Sequence, residues 1–369
     1  MIKDFFASLP TPVKRFWMIG LVLRLVALFF VITAPDYVGY RLPIAECITS
    51  GKWLYCECAY NHTPLYPYLS GLMNWFSGGH PLLQGFLITL PLGLGDALVP
   101  LVIFALFRKI GKESIAATAS MIYALNPIAL IEVGIAHWDG FTTFFLLLSL
   151  MYMHEDKLFK SGLAAGFGVL LKQFPLAIVL FSFVRNWNFK KAFILGVITV
   201  GVVVLGFLPF ILKCPETFVQ NLLGHPLWKG AASTKVGIGT VKDLFEHLSI
   251  PGAKMVWLGL FVLMIGLPAF KVKEHNYIYY VGLVMVTLAW FTFVTHRQLL
   301  VWSMPFVIML TLERKQYIPF VLMFIGYAIR IIKPHWAFGL IHLGVGVYYY
   351  VAFLQTLLEK SQNTVTANE

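Results

Sequence analysis

The chain has 369 residues, 59% hydrophobic and 12% charged, where a soluble domain carries about 45–50% and about 25%. A soluble globular fold is excluded, and a mean hydropathy of +0.78 describes a polypeptide whose solvent is mostly lipid. The net charge of +11 does not mark a nucleic-acid binder, because the 28 Lys and Arg recur in short groups between apolar stretches, which is a signal of membrane topology.

Apolar stretches predict helical spans near 16–34, 83–107, 114–131, 139–153, 161–172, 174–184, 192–212, 253–270, 277–294, 299–312, 317–332 and 337–357. Runs such as Phe141 to Met153 and Ala192 to Leu212 are apolar on every face, so the spans are helices and not the alternating strands of a β-barrel. The expectation is an all-α polytopic protein of about 12 transmembrane helices, one transmembrane domain over 1–369. Spans of ~20 residues use ~240 positions and leave roughly 130 for everything else, too few for a separate soluble domain.

Basic groups at Lys14-Arg15, Arg108-Lys109, Lys157 and Lys160, Arg185 with Lys190-Lys191, Lys271 with Lys273, and Arg314-Lys315 fall at every second crossing. By the positive-inside rule both termini are cytoplasmic. The first helix carries Arg24 and has no small-residue cleavage site after it, so it is read as retained and not as a signal peptide. The spans 161–172 and 174–184 are each too short to cross alone, and Lys172-Gln173-Phe174-Pro175 predicts a broken pair, since the residue before proline avoids helical backbone. Arg24, Asp96 and Arg330 lie inside apolar runs, where ionisable groups are functional or paired; Arg24 with Asp96 is the expected pair.

Two long segments, 35–82 and 213–252, face outward on this topology. The first is strongly aromatic, as suits the headgroup layer. All four cysteines, Cys47, Cys56, Cys58 and Cys214, lie in these segments, which fits an oxidising compartment. A Cys56–Cys58 bridge would be strained, so Cys47 is expected to pair with one of them and Cys214 with the other. A zinc site lacks a well-spaced second ligand pair.

The order Asp36-Tyr37, Gly51 to Tyr55, His62-Thr63-Pro64-Leu65-Tyr66-Pro67, Asn126-Pro127, His137-Trp138-Asp139 and Lys172-Gln173-Phe174-Pro175 resembles the GT-C superfamily of membrane glycosyltransferases. More narrowly it is similar to the mannosyltransferases that depend on polyprenyl- or dolichyl-phosphate-mannose, the group of the GPI mannosyltransferase I catalytic subunit and its prokaryotic relatives. The resemblance implies a GT-C fold with a catalytic first outward loop, and a lipid-monophosphate sugar donor used at the outer or lumenal face, in a cell membrane or the endoplasmic reticulum. Two positions depart from that pattern: Tyr37 stands where the GPI enzyme has a second acid, and Ala136-His137 stand where many relatives have Gly-Gln. A divalent metal is therefore an open option and not a requirement, and no cofactor is expected.

Sugar transfer from a phosphate leaving group needs a base for the acceptor hydroxyl and donors for the departing phosphate. Asp36, just after the first helix, is the candidate base, and the resemblance puts the family's catalytic Asp at this point. His296 and Arg297 are the first candidates for the donor phosphate, because the guanidinium fork matches phosphate oxygens; Lys333, Lys235 and Lys172 are weaker ones. His62, Tyr66, His137, Trp138 and Asp139 are candidates for the sugar or acceptor pocket, although Asp139 would equally serve as a helix N-cap and His62 could belong to an interfacial belt. The expected partners are a polyprenyl- or dolichyl-phosphate sugar, a lipid or glycan acceptor, membrane lipids and a small membrane subunit, with no nucleic acid. The competing class is a transporter or lipid-linked-sugar flippase, whose site would lie at mid-membrane between helices.

Overall fold

The structure, a computed structural model, describes residues 6–223, 253–291, 297–332 and 336–366. Among these there are helices and one isolated bridge, Leu54 with Cys58, and no strands. The chain divides into two compact units: Met1–Leu180 with Lys190–Gly230, and Phe181–Phe189 with Ala231–Glu369.

The first unit opens with α1 (Thr11–Leu28), whose Met18, Ile19, Val22 and Val26 are exposed. Next comes a π-helical turn, Tyr37–Arg41, running straight into α2 (Leu42–Thr49), then α3 (Leu65–Phe76) and the long α4 (Pro81–Lys109). Pro81 starts α4 where a missing N–H is harmless, and Gly111 at φ +75° turns the chain after its basic end. The apolar stretch after it is broken by Asn126-Pro127 into α5 (Glu113–Ala124) and α6 (Pro127–Gly134). Proline pushes Asn126 into extended backbone, and the Asn126 side chain then accepts from the Ile128 and Ala129 amides at 2.9 and 3.3 Å, capping α6. Then follow α7 (Asp139–His154) and α8 (Leu158–Val169).

After α8 the chain leaves the helix, makes a 3-10 turn over Phe174–Ala177 and resumes as α9 (Ile178–Asn186), the break that Lys172 to Pro175 predicts. The unit closes with α10 (Phe189–Lys213) and α11 (Pro215–Leu223). On α10, Phe193, Val197, Val200, Val204 and Leu205 are exposed, an apolar surface that suits lipid.

α4 is the centre of this unit and packs against α1, α3, α5 and α7. There the buried Arg24 of α1 forms an ion pair with the buried Asp96 of α4 and donates to the carbonyl of Ala124 at 2.7 Å, while the Tyr123 hydroxyl donates to Asp96 at 3.0 Å. The expected intramembrane pair is therefore fully hydrogen-bonded, the condition under which buried charge is tolerated. α7 lies so close that a Cβ on Gly140 would stand 1.8 Å from Asp96 Oδ1.

The second unit contains α12 (Ala253–Ala269), α13 (Tyr277–Trp290), α14 (Leu300–Arg314), α15 (Ile318–Ile332) and α16 (Trp336–Thr366). α13 is buried along nearly its whole length and packs on α14 and α16. Within this unit Arg185 is paired with Glu274 at 2.6 Å.

Twelve crossings are expected from the sequence, and four described helical stretches are long and apolar enough for one: Pro81–Lys109, Glu113–Gly134, Phe189–Lys213 and Ile341–Gln362. Five more, Leu158–Val169, Phe174–Arg185, Met255–Ala269, Tyr277–Trp290 and Ile318–Ala328, are apolar and shorter. The segment 35–82 departs most from a simple loop, since much of it is helical.

Candidate active site

The end of α1 and the end of α6 meet at Asp36 and His137. Asp36 begins the π turn and its side chain is 51% exposed. His137 follows α6 in a tight reversal whose previous residue, Ala136, takes φ +66°, a left-handed backbone uncommon for a residue with a Cβ. That reversal turns the imidazole between two carboxylates: Nε2 is hydrogen-bonded to Asp36 Oδ2 and Nδ1 to Glu132 Oε2. Glu132, on α6, is buried, and its chain neighbour in this bonding, His137, is nearly so.

Both ring nitrogens face acceptors, so the ring donates to both only as imidazolium. Burial works against that cation, but the bonds from Asp36 and Glu132, with the nearby charge of Asp139, outweigh it and raise the His137 pKa above its usual value. The two carboxylates lie on opposite edges of the ring and share no point that a cation could occupy; among the described residues no group of His, Cys, Asp and Glu is arranged to hold a metal ion.

Beside this triad lies an aromatic cluster. The His62 ring stands edge-on to Tyr40, Tyr60 and Trp138, with centroids 5.5, 5.9 and 5.4 Å away. Trp138 packs on Tyr66 at 5.2 Å. Tyr66 is buried and its hydroxyl donates to the Ile88 carbonyl at 3.3 Å, which makes it a support beneath the cluster. Arg41, the last residue of the π turn, lies with its guanidinium carbon 3.6 Å from the centre of the Trp138 ring, and its Nε donates to the Ala136 carbonyl at 3.1 Å.

Two disulfides hold the segment that carries these rings, Cys47–Cys58 and Cys56–Cys214. The second fastens residues 54–60 to the end of α10, where Tyr55 packs on Phe210 and Phe218.

The structure thus brings together Asp36, His62, Tyr66, His137 and Trp138 from the residues singled out in sequence. Asp139 and Lys172 form an ion pair of their own at 2.7 Å, the carboxylate buried and the lysine nearly so. That pair joins the start of α7 to the break after α8, so each answers the other's charge. His296, Lys333 and Lys235 lie outside the described residues; Arg297 starts a 3-10 turn, Arg297–Leu299, and its side chain lies outside them. Sequence reading missed Glu132 and Arg41. Glu132 is a carboxylate inside the apolar run Pro127–Gly134, a signal of the same kind as Asp96. Arg41 sits five residues after Asp36, a spacing that puts the two ~140° apart on an α-helix, so no helical period links them in the sequence.

Residues 65–354 match the family model described as glycosyltransferase family 87. The chain belongs to this family. No curated protein matches this family 87 glycosyltransferase by sequence. In structure it is similar to ArnT from Cupriavidus metallidurans bound to undecaprenyl phosphate, at TM-score 0.58 and 16% identity over 95% of this chain and 77% of that one. It is similar also to the apo state of ArnT, at TM-score 0.59 and 15% identity over 95% and 76%. The fold of this family 87 glycosyltransferase is therefore that of the GT-C membrane glycosyltransferases, as the resemblance in its motifs implies.

Proposed function

We propose that this family 87 enzyme transfers a hexose, mannose by the resemblance of its motifs, from a polyprenyl- or dolichyl-phosphate donor to a lipid or glycan acceptor, with inversion at the anomeric carbon. Asp36 is the general base. It takes the proton of the acceptor hydroxyl as that oxygen attacks the anomeric carbon, and the bond from carbon to the phosphate oxygen breaks with its electron pair leaving on the phosphate. A single base suits an in-line displacement, in which the acceptor oxygen enters opposite the departing phosphate.

The observation that carries this reading is the Asp36–His137–Glu132 chain: an exposed carboxylate at the start of the π turn after α1, hydrogen-bonded to an imidazole ring that is itself held by a buried carboxylate. His137 acts here as a positioning residue, holding one carboxylate oxygen so that the other stays turned toward substrate. In the aromatic cluster the half-buried Tyr40 and His62 are the rings that a sugar could meet, on a bed of buried Tyr60, Tyr66 and Trp138. The ArnT relative crystallised with undecaprenyl phosphate supports a polyprenyl-phosphate lipid as carrier. The two disulfides suit an oxidising side, so the active site is proposed to face outward, with both termini cytoplasmic.

The test uses the purified full-length chain in nanodiscs, a radiolabelled polyprenyl-phosphate-mannose donor and a panel of lipid and glycan acceptors, with wild type against Asp36→Asn. Transfer by wild type and its loss in Asp36→Asn by about 10²-fold or more, with donor binding kept, is expected. Donor binding without transfer by wild type would mean that the acceptor or a small partner subunit is missing. Absence of any phosphate-linked sugar binding would sink the donor class.

A further inference from the structure

Three arginines are buried among the described residues: Arg24, Arg41 and Arg185. Arg24 is answered by Asp96 and Arg185 by Glu274. Arg41, only 6% exposed, has no carboxylate within salt-bridge distance among the described residues. Its Nε bonds one carbonyl, its plane lies on Trp138, and its Nη1 has no hydrogen-bond partner. A buried guanidinium with an idle donor carries a desolvation cost, and its contacts with the Tyr40, Tyr66 and Trp138 rings offset that cost only in part. No residue described here supplies a compensating anion to Arg41.

The backbone says which anion-bearing molecule would meet it. In Tyr37–Arg41 the Leu42 amide donates to the Tyr37 carbonyl, five residues back, the π register, which often marks functional sites. In an α-helix Asp36 and Arg41 would point ~140° apart; the wider π turn brings residues five apart back to one side. Arg41 is also anchored to the carbonyl of Ala136, the residue before the His137 that holds Asp36. The base and the unanswered cation are thus tied to the same two strips of backbone.

We propose that Arg41 binds the phosphate of the lipid-linked donor, as the cation left uncompensated on the same side of the π turn as Asp36. This rests on the donor reading above. The guanidinium offers a planar pair of N–H donors to two phosphate oxygens, and Trp138, stacked beneath it, keeps the plane fixed. When the anomeric carbon–oxygen bond breaks, the electron pair stays on the phosphate oxygen, whose added charge Arg41 receives by hydrogen bonds. No proton needs to move from Arg41.

The test measures equilibrium binding of undecaprenyl phosphate to the full chain in nanodiscs, with undecaprenol and phosphatidylglycerol as competitors. Four proteins are compared: wild type, Arg41→Gln, Arg41→Lys and Asp36→Asn. The expected result is about tenfold or more weaker binding in Arg41→Gln and about threefold or more in Arg41→Lys, which keeps the charge and loses the fork. Asp36→Asn should bind no more weakly than wild type, since it removes an anion beside the bound phosphate, and wild-type affinity should fall with salt more steeply than that of Arg41→Gln. Should Arg41→Gln fail to fold, as judged by gel filtration and intact disulfides, Arg41→Lys decides the matter.

If wild type and the folded Arg41 variants bind undecaprenyl phosphate equally, the assignment of Arg41 is overturned while the donor reading stands. If undecaprenol competes as well as the phosphate, the phosphate is not what is bound and the assignment is overturned. If phosphatidylglycerol competes equally, Arg41 serves a general lipid headgroup and not the donor, which also overturns it. If wild type binds no polyprenyl phosphate, both readings fall together.

Discussion

Asp36 was legible from sequence because a lone acid immediately after a membrane helix, in a family-like order of motifs, has few structural reasons to be there. What the sequence could not give is how it is held, because His137 is 101 positions away and meets Asp36 only once Ala136 adopts its left-handed turn. The arrangement makes a directional prediction. Replacing His137 with Gln removes the ring that fixes Asp36, so kcat/KM should fall while donor binding is kept. The same change removes an alkaline limb set by loss of the His137 proton. Replacing Glu132 with Gln takes away an anion that raises the His137 pKa, so it moves the alkaline limb to lower pH. In folding, a raised His137 pKa is a contribution present below the ordinary histidine range and lost as pH climbs through the raised value, so the wild-type thermal midpoint should fall over that alkaline window and that of His137→Gln should not. A pH–rate profile whose limbs are identical in wild type and both variants would remove His137 and Glu132 from the mechanism.

At the scale of elements, the breaks were easier to read than the lengths. Asn126-Pro127 and Phe174-Pro175 interrupt helices as the backbone limits of proline require, whereas the π turn after α1 leaves no periodic trace: a stretch of five residues, Tyr37–Arg41, is too short for a hydrophobic period to register. Two tests follow from packing and register. A methyl at Gly140 would be driven into Asp96, which is fixed by Arg24 and Tyr123 and cannot retreat. Gly140→Ala should lower stability by about 1–3 kcal/mol, the usual range for overpacking, seen as a lower unfolding midpoint in detergent. Gly39 is exposed, with open space where its side chain would be, so deleting it costs little packing while closing the π turn toward an ordinary α turn. That deletion leaves Asp36 and Arg41 four residues apart, ~40° from each other on an α-helix, so both stay on one side, and transfer should fall by less than about tenfold while both disulfides still form. A loss as deep as that of Asp36→Asn would show that the π register itself is needed to place them.

Across the whole chain, all four cysteines fall in the two long segments 35–82 and 213–252, and the structure adds which partners span what distance. Cys47–Cys58 closes 11 residues of chain and Cys56–Cys214 closes 158. In the chain-entropy account the loss of a crosslink grows with the logarithm of the loop it closes, so the longer bridge is worth roughly 2 kcal/mol more. It also has a local consequence that the shorter one lacks. Cys56 lies in residues 54–60, whose Tyr55 and Tyr60 are packed against each other and toward His62, and Cys214 lies at the end of α10, whose outward face is apolar. The bridge therefore fixes the aromatic side of the candidate pocket to a helix anchored in lipid. Cys56→Ser with Cys214→Ser should lower the unfolding midpoint more than Cys47→Ser with Cys58→Ser does. The same pair should raise KM for the acceptor or donor more than it lowers kcat, since Asp36, His137 and Glu132 are held by α1 and α6 and not by the bridge. Reduction of the wild type, which opens both bridges, should reproduce both effects. Equal loss of kcat in the two double variants, with KM unchanged, would mean that the long bridge supports the catalytic triad itself and not the pocket beside it.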